Sequence, residues 1–213
     1  MTLSLDPDAV LWSGEPDGRP LLVLLHGYGA DEHDLFALVP HLPAEFAIAA
    51  VRAPLAPPFP TPGRSWYPIE GLEARDATPT TLAAEAVLAW IADVAGDAPV
   101  GLLGFSQGGA VALQMLRLDP ARISFVVNLS GYASPGELPR DAELAELRPP
   151  VFWGRGALDE VIPEALVLHT TDWLPAHSDL VGRIYPALRH AVSELELEDM
   201  RVFLDKRLGQ LRG

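Results

Sequence analysis

The sequence predicts one α/β domain over residues 1–213, with a mostly parallel sheet of about seven strands and helices on both faces. Three observations carry that prediction. Short continuous apolar runs alternate along the chain with helix-like stretches, as strands buried on both faces do between crossover helices. A length of 213 residues suits one well-buried domain and is short for two. Finally, the run Pro99-Val-Gly-Leu-Leu-Gly-Phe-Ser-Gln-Gly-Gly-Ala110 passes through a glycine-rich turn directly into an apolar helix.

Taken in order, residues 8–13 suit a short edge strand. Pro20-Leu-Leu-Val-Leu-Leu25 reads as a strand buried on both faces, followed by the tight loop His26-Gly27-Tyr28-Gly29. Asp31 or Asp34 is placed to cap a helix over roughly Leu35 to Leu42. Phe46–Val51 is the next strand, and a proline-rich connection from Pro54 to Pro79 follows. Connections of that length in compact domains usually have a functional reason or are disordered. An amphipathic helix after Thr80 and Thr81 places Val87, Trp90, Ile91 and Val94 at helical spacing and stops at Gly96. After the central strand and its helix, Asp119-Pro120 breaks the chain. Ile123–Leu129 and Pro150–Trp153 read as strands. Pro163-Glu164 opens a helix in the favoured order of a first-turn proline and an acid. Leu180–Tyr185 is the last strand. Ser193-Glu-Leu-Glu196 is a capping box for a final helix whose apolar stripe is Leu197, Met200, Leu204, Leu208 and Leu211.

Composition excludes several classes of function. The formal net charge is −14, with one lysine, Lys206, among 15 basic residues, so a phosphate backbone would be repelled and nucleic acid is not expected as a partner. The chain contains no cysteine, which removes disulfides, thiolate metal sites and a cysteine nucleophile. The N-terminus has neither a basic start nor a long apolar run, and no stretch approaches a membrane span, so a cytoplasmic protein is expected.

The central run contains Gly104-Phe105-Ser106-Gln107-Gly108, a nucleophile elbow in which a serine sits on a strained turn between strand and helix. Glycine is needed there because side chains would collide across so tight a turn. The pattern alone is weak, so its partners decide. A serine hydroxyl needs a base, and the base needs a carboxylate to hold its ring. Of the six histidines, His26, His33 and His41 precede the elbow, against the order serine, acid, histidine. His169 falls in a predicted helix and His177 in a loop leading to a strand. His190 comes a few residues past a strand end, and Asp159 follows an earlier strand in the same way, with Glu160 as the alternative acid. Taken singly, Asp159 is explained as a helix cap, His190 as a surface histidine and Ser106 as a small residue in a turn. The correct order, each after its own strand, favours Ser106–Asp159–His190 as a catalytic triad. Oxyanion donors are then expected at the backbone N–H of Gln107 and of Tyr28, while the His26 side chain braces the loop.

These stretches, together with Leu25-His-Gly-Tyr-Gly-Ala-Asp-Glu-His-Asp-Leu35, Ser65-Trp66-Tyr67 and Leu158-Asp-Glu-Val-Ile-Pro163, resemble the phospholipase/carboxylesterase family of small α/β-hydrolases, which includes acyl-protein thioesterases. The resemblance runs through nearly the whole chain. It implies a cofactor-free serine hydrolase without a large cap domain, with catalysis on Ser106, Asp159 and His190 and oxyanion donors at Tyr28 and Gln107. The chain departs from the family pattern at Pro186-Ala-Leu-Arg-His190, where members often carry a glycine before the histidine.

The proline-rich connection is the expected pocket wall, with Tyr28, Trp66, Tyr67 and Phe105 as lining residues. Without a cap the pocket is expected to be shallow, which suits esters of short to medium acyl chains. The same site would serve a thioesterase or a lysophospholipase, and a non-catalytic homologue binding a small ligand is the contrasting class. The expected partner is a small-molecule ester, and a homodimer is compatible with this reading. No metal is expected, because Asp31, Glu32, His33 and Asp34 lack a second histidine at helical spacing and are explained by helix capping.

Overall fold

A computed structural model describes residues 3–69 and 76–211. One seven-stranded sheet runs through the molecule in the order β1-β3-β2-β4-β5-β6-β7. Strand β1 (Leu11–Trp12) is the antiparallel edge, paired with β3 (Ala47–Val51). All other pairings are parallel, through β2 (Leu21–Leu25), β4 (Val100–Phe105), β5 (Ile123–Leu129), β6 (Pro150–Gly156) and β7 (Asp179–Tyr185).

Side chains along a strand alternate between faces, so each apolar run feeds two cores. Leu21, Val23 and Leu25 join one core with helices α2 (Thr78–Val94), α3 (Gln107–Leu118), α4 (Asp141–Leu147) and α5 (Glu164–His177). Leu22 and Leu24 join the other, with α1 (Glu32–Phe36) and α6 (Glu194–Leu211). All five residues of β2 are buried, which is why the run carries no polar alternation. Fully burying one such leucine is worth ~1.5–3 kcal/mol.

Several boundaries differ from expectation, each for a local reason. Helix α1 begins at Glu32 because Asp31 caps it, its side chain accepting the His33 N–H at 2.9 Å. It ends at Phe36, and Val39–His41 forms a separate 3-10 turn with Pro40 inside it. Strand β6 runs three residues beyond Trp153, to Gly156, because β7 pairs along its whole length. Helix α4 is an addition, tied down by the buried Arg117, whose guanidinium donates to Asp141 Oδ1 at 2.9 Å and Oδ2 at 2.7 Å. His177 is the last residue of α5 rather than a loop residue, its ring stacked on Trp173 at 4.1 Å. The connection expected over 54–79 includes residues 70–75, which lie outside the described residues.

Parallel sheets gather functional groups at the carboxyl ends of their strands. The loops after β2, β4, β6 and β7 meet at that edge here.

Candidate active site

Strand β4 ends at Phe105 and α3 starts at Gln107, leaving Ser106 alone at φ 53°, ψ −116°. A non-glycine residue in that region stores ~1–3 kcal/mol of strain and persists only where its surroundings enforce it. The enforcement is visible. The Ser106 N–H donates to Leu129 O at 2.8 Å, which ties the turn to β5. A Cβ on Gly104 would lie 2.3 Å from Gly108 O, and one on Gly108 would lie 1.9 Å from Leu25 O. Neither position tolerates a side chain without moving backbone, so strand, turn and helix are held in contact.

The loops after β6 and β7 bring two more groups to this turn. Ser106 Oγ lies 2.8 Å from His190 Nε2, and His190 Nδ1 lies 2.7 Å from Asp159 Oδ2. A carboxylate only accepts, so Nδ1 carries the proton and Nε2 is left to accept from the serine hydroxyl. Asp159 Oδ1 accepts the N–H groups of Val161 at 2.9 Å and Ile162 at 3.3 Å. These fix the carboxylate plane, and only 3% of its side chain is exposed. The Phe105 ring packs at 4.9 Å from the His190 ring. Glu160 points away and pairs with Arg189 at 3.3 Å on the surface.

The loop after β2 crosses the elbow closely enough that a Cβ on Gly27 would lie 3.6 Å from Ser106 Cβ. Among the described residues the backbone N–H groups of Tyr28 and Gln107 donate to no protein acceptor, and the latter is one of the free donors at the start of α3. His26 is buried, with Nδ1 at 2.7 Å from Gly27 O and Nε2 accepting the Ala53 N–H at 3.2 Å. That arrangement needs a neutral ring, and burial lowers its pKa from the usual 6.5.

The expected pocket wall is corrected at two positions. Trp66 and Tyr67 are 0% and 2% exposed, core residues rather than pocket residues. Their segment is a clamp. The Gln107 side chain accepts the Trp66 N–H at 2.9 Å and donates to Tyr67 O at 2.7 Å. The Trp66 indole donates to His26 O at 2.8 Å, Gly29 N–H to Arg64 O at 2.9 Å, and Arg64 N–H to Ala30 O at 2.7 Å. Tyr67 Oη meets Tyr132 Oη at 2.7 Å inside the core. Tyr28 is partly exposed on its loop, and Phe105 lines a groove beside His190. The other walls of that groove, Leu35, Leu38 and Val192, were not singled out in the sequence, since they come from segments far apart in the chain.

Asp31, Glu32 and His33 bring possible metal-ligand atoms within 4.8 Å of one another. Their acids are already engaged: Asp31 caps α1, and the buried Glu32 accepts both Arg52 Nε, at 2.8 Å, and Arg52 Nη2. Among the described residues no helix is long and apolar enough to cross a membrane.

A mostly parallel sheet with a strained serine between β4 and α3, and an acid and a histidine after β6 and β7, defines an α/β-hydrolase. Within that class the chain belongs to the phospholipase/carboxylesterase family, whose sequence pattern matches residues 7–208. It is 30% identical over 212 residues to a pimeloyl-[acyl-carrier protein] methyl ester esterase of Neisseria meningitidis, covering 90% of this chain and 72% of that one. It is 32% identical over 109 residues to acyl-protein thioesterase 1 of Saccharomyces cerevisiae, a match spanning about half of each protein, 49% of this chain and 48% of the other. Among solved structures, a carboxylesterase from Mesorhizobium loti superimposes with a TM-score of 0.76 at 21% identity, covering 96% of this chain and 99% of that one. Acyl-protein thioesterase 2 of Zea mays also gives 0.76, at 22% identity, covering 93% and 98%. The relatives and structures named here are esterases and thioesterases.

Proposed function

We propose that this chain is a serine carboxylesterase that cleaves esters of short to medium acyl chains through an acyl-enzyme, with Ser106, Asp159 and His190 as its triad. The observation that carries the reading is the continuous line from Asp159 Oδ2 through the His190 ring to Ser106 Oγ, at 2.7 and 2.8 Å. Ser106 attacks the ester carbonyl as His190 Nε2 takes its proton. The same proton then passes to the departing alcohol, and a water activated by His190 releases the acid. Asp159 holds the ring and stabilises the imidazolium. The N–H groups of Tyr28 and Gln107 receive the oxyanion, usually the largest electrostatic contribution to such reactions.

Labelling by a fluorophosphonate tests the reading. One equivalent is expected on the wild type and none on Ser106→Ala, and an unlabelled, folded wild type would refute it. Across p-nitrophenyl esters, kcat/KM is expected to level off well before a C12 acyl chain. A steady rise to that length, at ~0.8 kcal/mol per buried methylene, would mean a deep acyl tunnel instead.

A thioesterase reading of the same site is favoured by the match to acyl-protein thioesterase 1. Oxygen and sulfur esters of one acid, compared at equal concentration, separate the two. The lysophospholipase and ligand-binding alternatives have no observation of their own in their favour.

A further inference from the structure

The reaction proposed above makes a spatial demand on the site. His190 Nε2 first holds the proton of Ser106 and then delivers it to the leaving oxygen, so that oxygen must come within hydrogen-bond reach of the same nitrogen. The carbonyl oxygen, held by the Tyr28 and Gln107 N–H groups, points elsewhere. Whatever is attached to the leaving oxygen therefore extends along the wall that begins at His190.

That wall opens into a groove of about 310 Å³ between α1 and the segment leading into α6. His190 stands at its head and Ala191 and Val192 continue one bank. Leu35 and Leu38 form the other, and the Phe105 ring, packed against the His190 ring, forms the floor. Leu38, Phe105 and Val192 are only partly buried, so apolar surface is left uncovered beside the reacting serine. Among the described residues, the one acidic side chain on this lining is Asp34, exposed at the edge.

Resting on the esterase reading, we infer that this groove is the leaving-group subsite, shaped for an apolar alcohol or thiol that carries no negative charge. On attack the Ser106 Oγ–carbon bond forms. When the tetrahedral intermediate collapses, the carbon–oxygen (or carbon–sulfur) bond to the group in the groove breaks. The proton on His190 Nε2 goes to that group, which leaves neutral. Apolar burial along Leu35, Leu38 and Val192 holds it in line for the proton, while Asp34 repels a carboxylate or phosphate in the same place. The acyl portion lies on the opposite side of the carbonyl, outside this groove.

The test varies the two halves of the ester separately. With butyrate as the acid, methyl, benzyl and 1-naphthylmethyl esters report on the groove. With p-nitrophenol as the leaving group, acetate to octanoate report on the acyl side. Leu38→Trp and, independently, Ala191→Trp fill the groove from its two banks. Each is expected to lower the ratio of kcat/KM for the naphthylmethyl over the methyl ester by roughly tenfold, the scale of steric discrimination in an apolar pocket, while the acyl profile keeps its shape. Asp34→Asn is expected to raise kcat/KM for the butyrate ester of 4-(hydroxymethyl)benzoate about fivefold relative to benzyl butyrate, by removing one charge near the mouth. An unchanged naphthylmethyl-to-methyl ratio in both tryptophan variants overturns the assignment. So does a shift of the acyl profile to shorter chains, which would make the groove the acyl site. An unchanged carboxylate selectivity in Asp34→Asn overturns the charge component. Fluorophosphonate labelling of each variant shows that Ser106 is intact and the chain folded. A wild type that neither labels nor hydrolyses any of these esters defeats the esterase reading itself, an outcome distinct from the others.

Discussion

Glu196 sits in the first turn of α6 with no exposed surface. Its carboxyl lies so close to β6 that a Cβ on Gly154 would come within 2.2 Å of Oε1. Ser193 Oγ accepts the Glu196 N–H at 3.2 Å, one half of the expected capping box. Neither carboxyl oxygen completes a hydrogen bond of good geometry, so the Ser193 backbone N–H offsets the burial only in part. Burial, reinforced by the charge of Asp199, raises the pKa from 4.5 to about 7. The native state therefore holds this proton more tightly than the unfolded chain does. Stability from this group is whole below the unfolded pKa of 4.5 and is lost as pH rises through the folded value of about 7. At ~1.4 kcal/mol per tenfold change in proton affinity, the loss amounts to ~3 kcal/mol. Glu196→Gln keeps the shape and removes the titration. It is expected to match the wild type near pH 4.5 and to exceed it by up to ~3 kcal/mol at pH 8. The favourable interaction of a charged glutamate with the helix N-terminus works the other way but is worth at most ~2 kcal/mol, so burial wins. Urea unfolding of both proteins at pH 4.5, 6 and 8 measures the difference. A constant difference across that range, or a less stable variant at pH 8, would refute the reasoning.

Asp159→Asn would present an amide to His190 Nδ1 and favour the wrong tautomer, so kcat is expected to fall by ~10⁴-fold with little change in Tm, checked by esterase kinetics and thermal melts. Gln107→Ala removes the acceptor for the buried Trp66 N–H and one of two donors to Tyr67 O, which keeps the Ser65 hydroxyl at 2.6 Å, at a cost of about 1–3 kcal/mol in urea unfolding; a loss below ~0.5 kcal/mol would mean the clamp is not held there. His26 has a lowered pKa, so its contribution is present above 6.5 and is lost as pH falls through the folded value. The stability gap between wild type and His26→Phe is accordingly expected to narrow from pH 7.5 to pH 5 in paired denaturant titrations.

The inner strands β2 to β6 are legible because they are largely buried on both faces, and continuous runs such as Leu21–Leu25 have few other readings. Helix α1 starts three residues earlier than its apolar spacing predicts, because its start is set by the Asp31 cap. Helix α4 leaves no sequence signal, since it buries one residue, Leu144, and depends on Arg117 from another element. The same division holds at the site. Ser106, Asp159 and His190 each follow a strand in a fixed order, which a linear reading detects. Aromaticity alone places Trp66 and Tyr67 in a pocket, whereas their position is decided by the Gln107 side chain some forty residues away, and such pairing leaves no local pattern. The groove beside His190 was invisible for a similar reason, as Leu38 and Val192 meet only in the folded molecule.

The hydrogen bonds that join Gly29, Arg64, Trp66 and Gln107 close on one another, so no single one opens without straining the next. Irregular backbone usually frays independently and exchanges its amide protons quickly. Here the Gly29, Arg64 and Trp66 amide protons are expected to exchange with deuterium as slowly as those of β2 and β4, on the timescale of global unfolding. The spacing between the Tyr28 and Gln107 N–H groups then belongs to the folded state itself. On the proposed esterase reading, an arriving ester would meet donors already fixed in place, the free energy of ordering them having been spent once, during folding, rather than at every turnover.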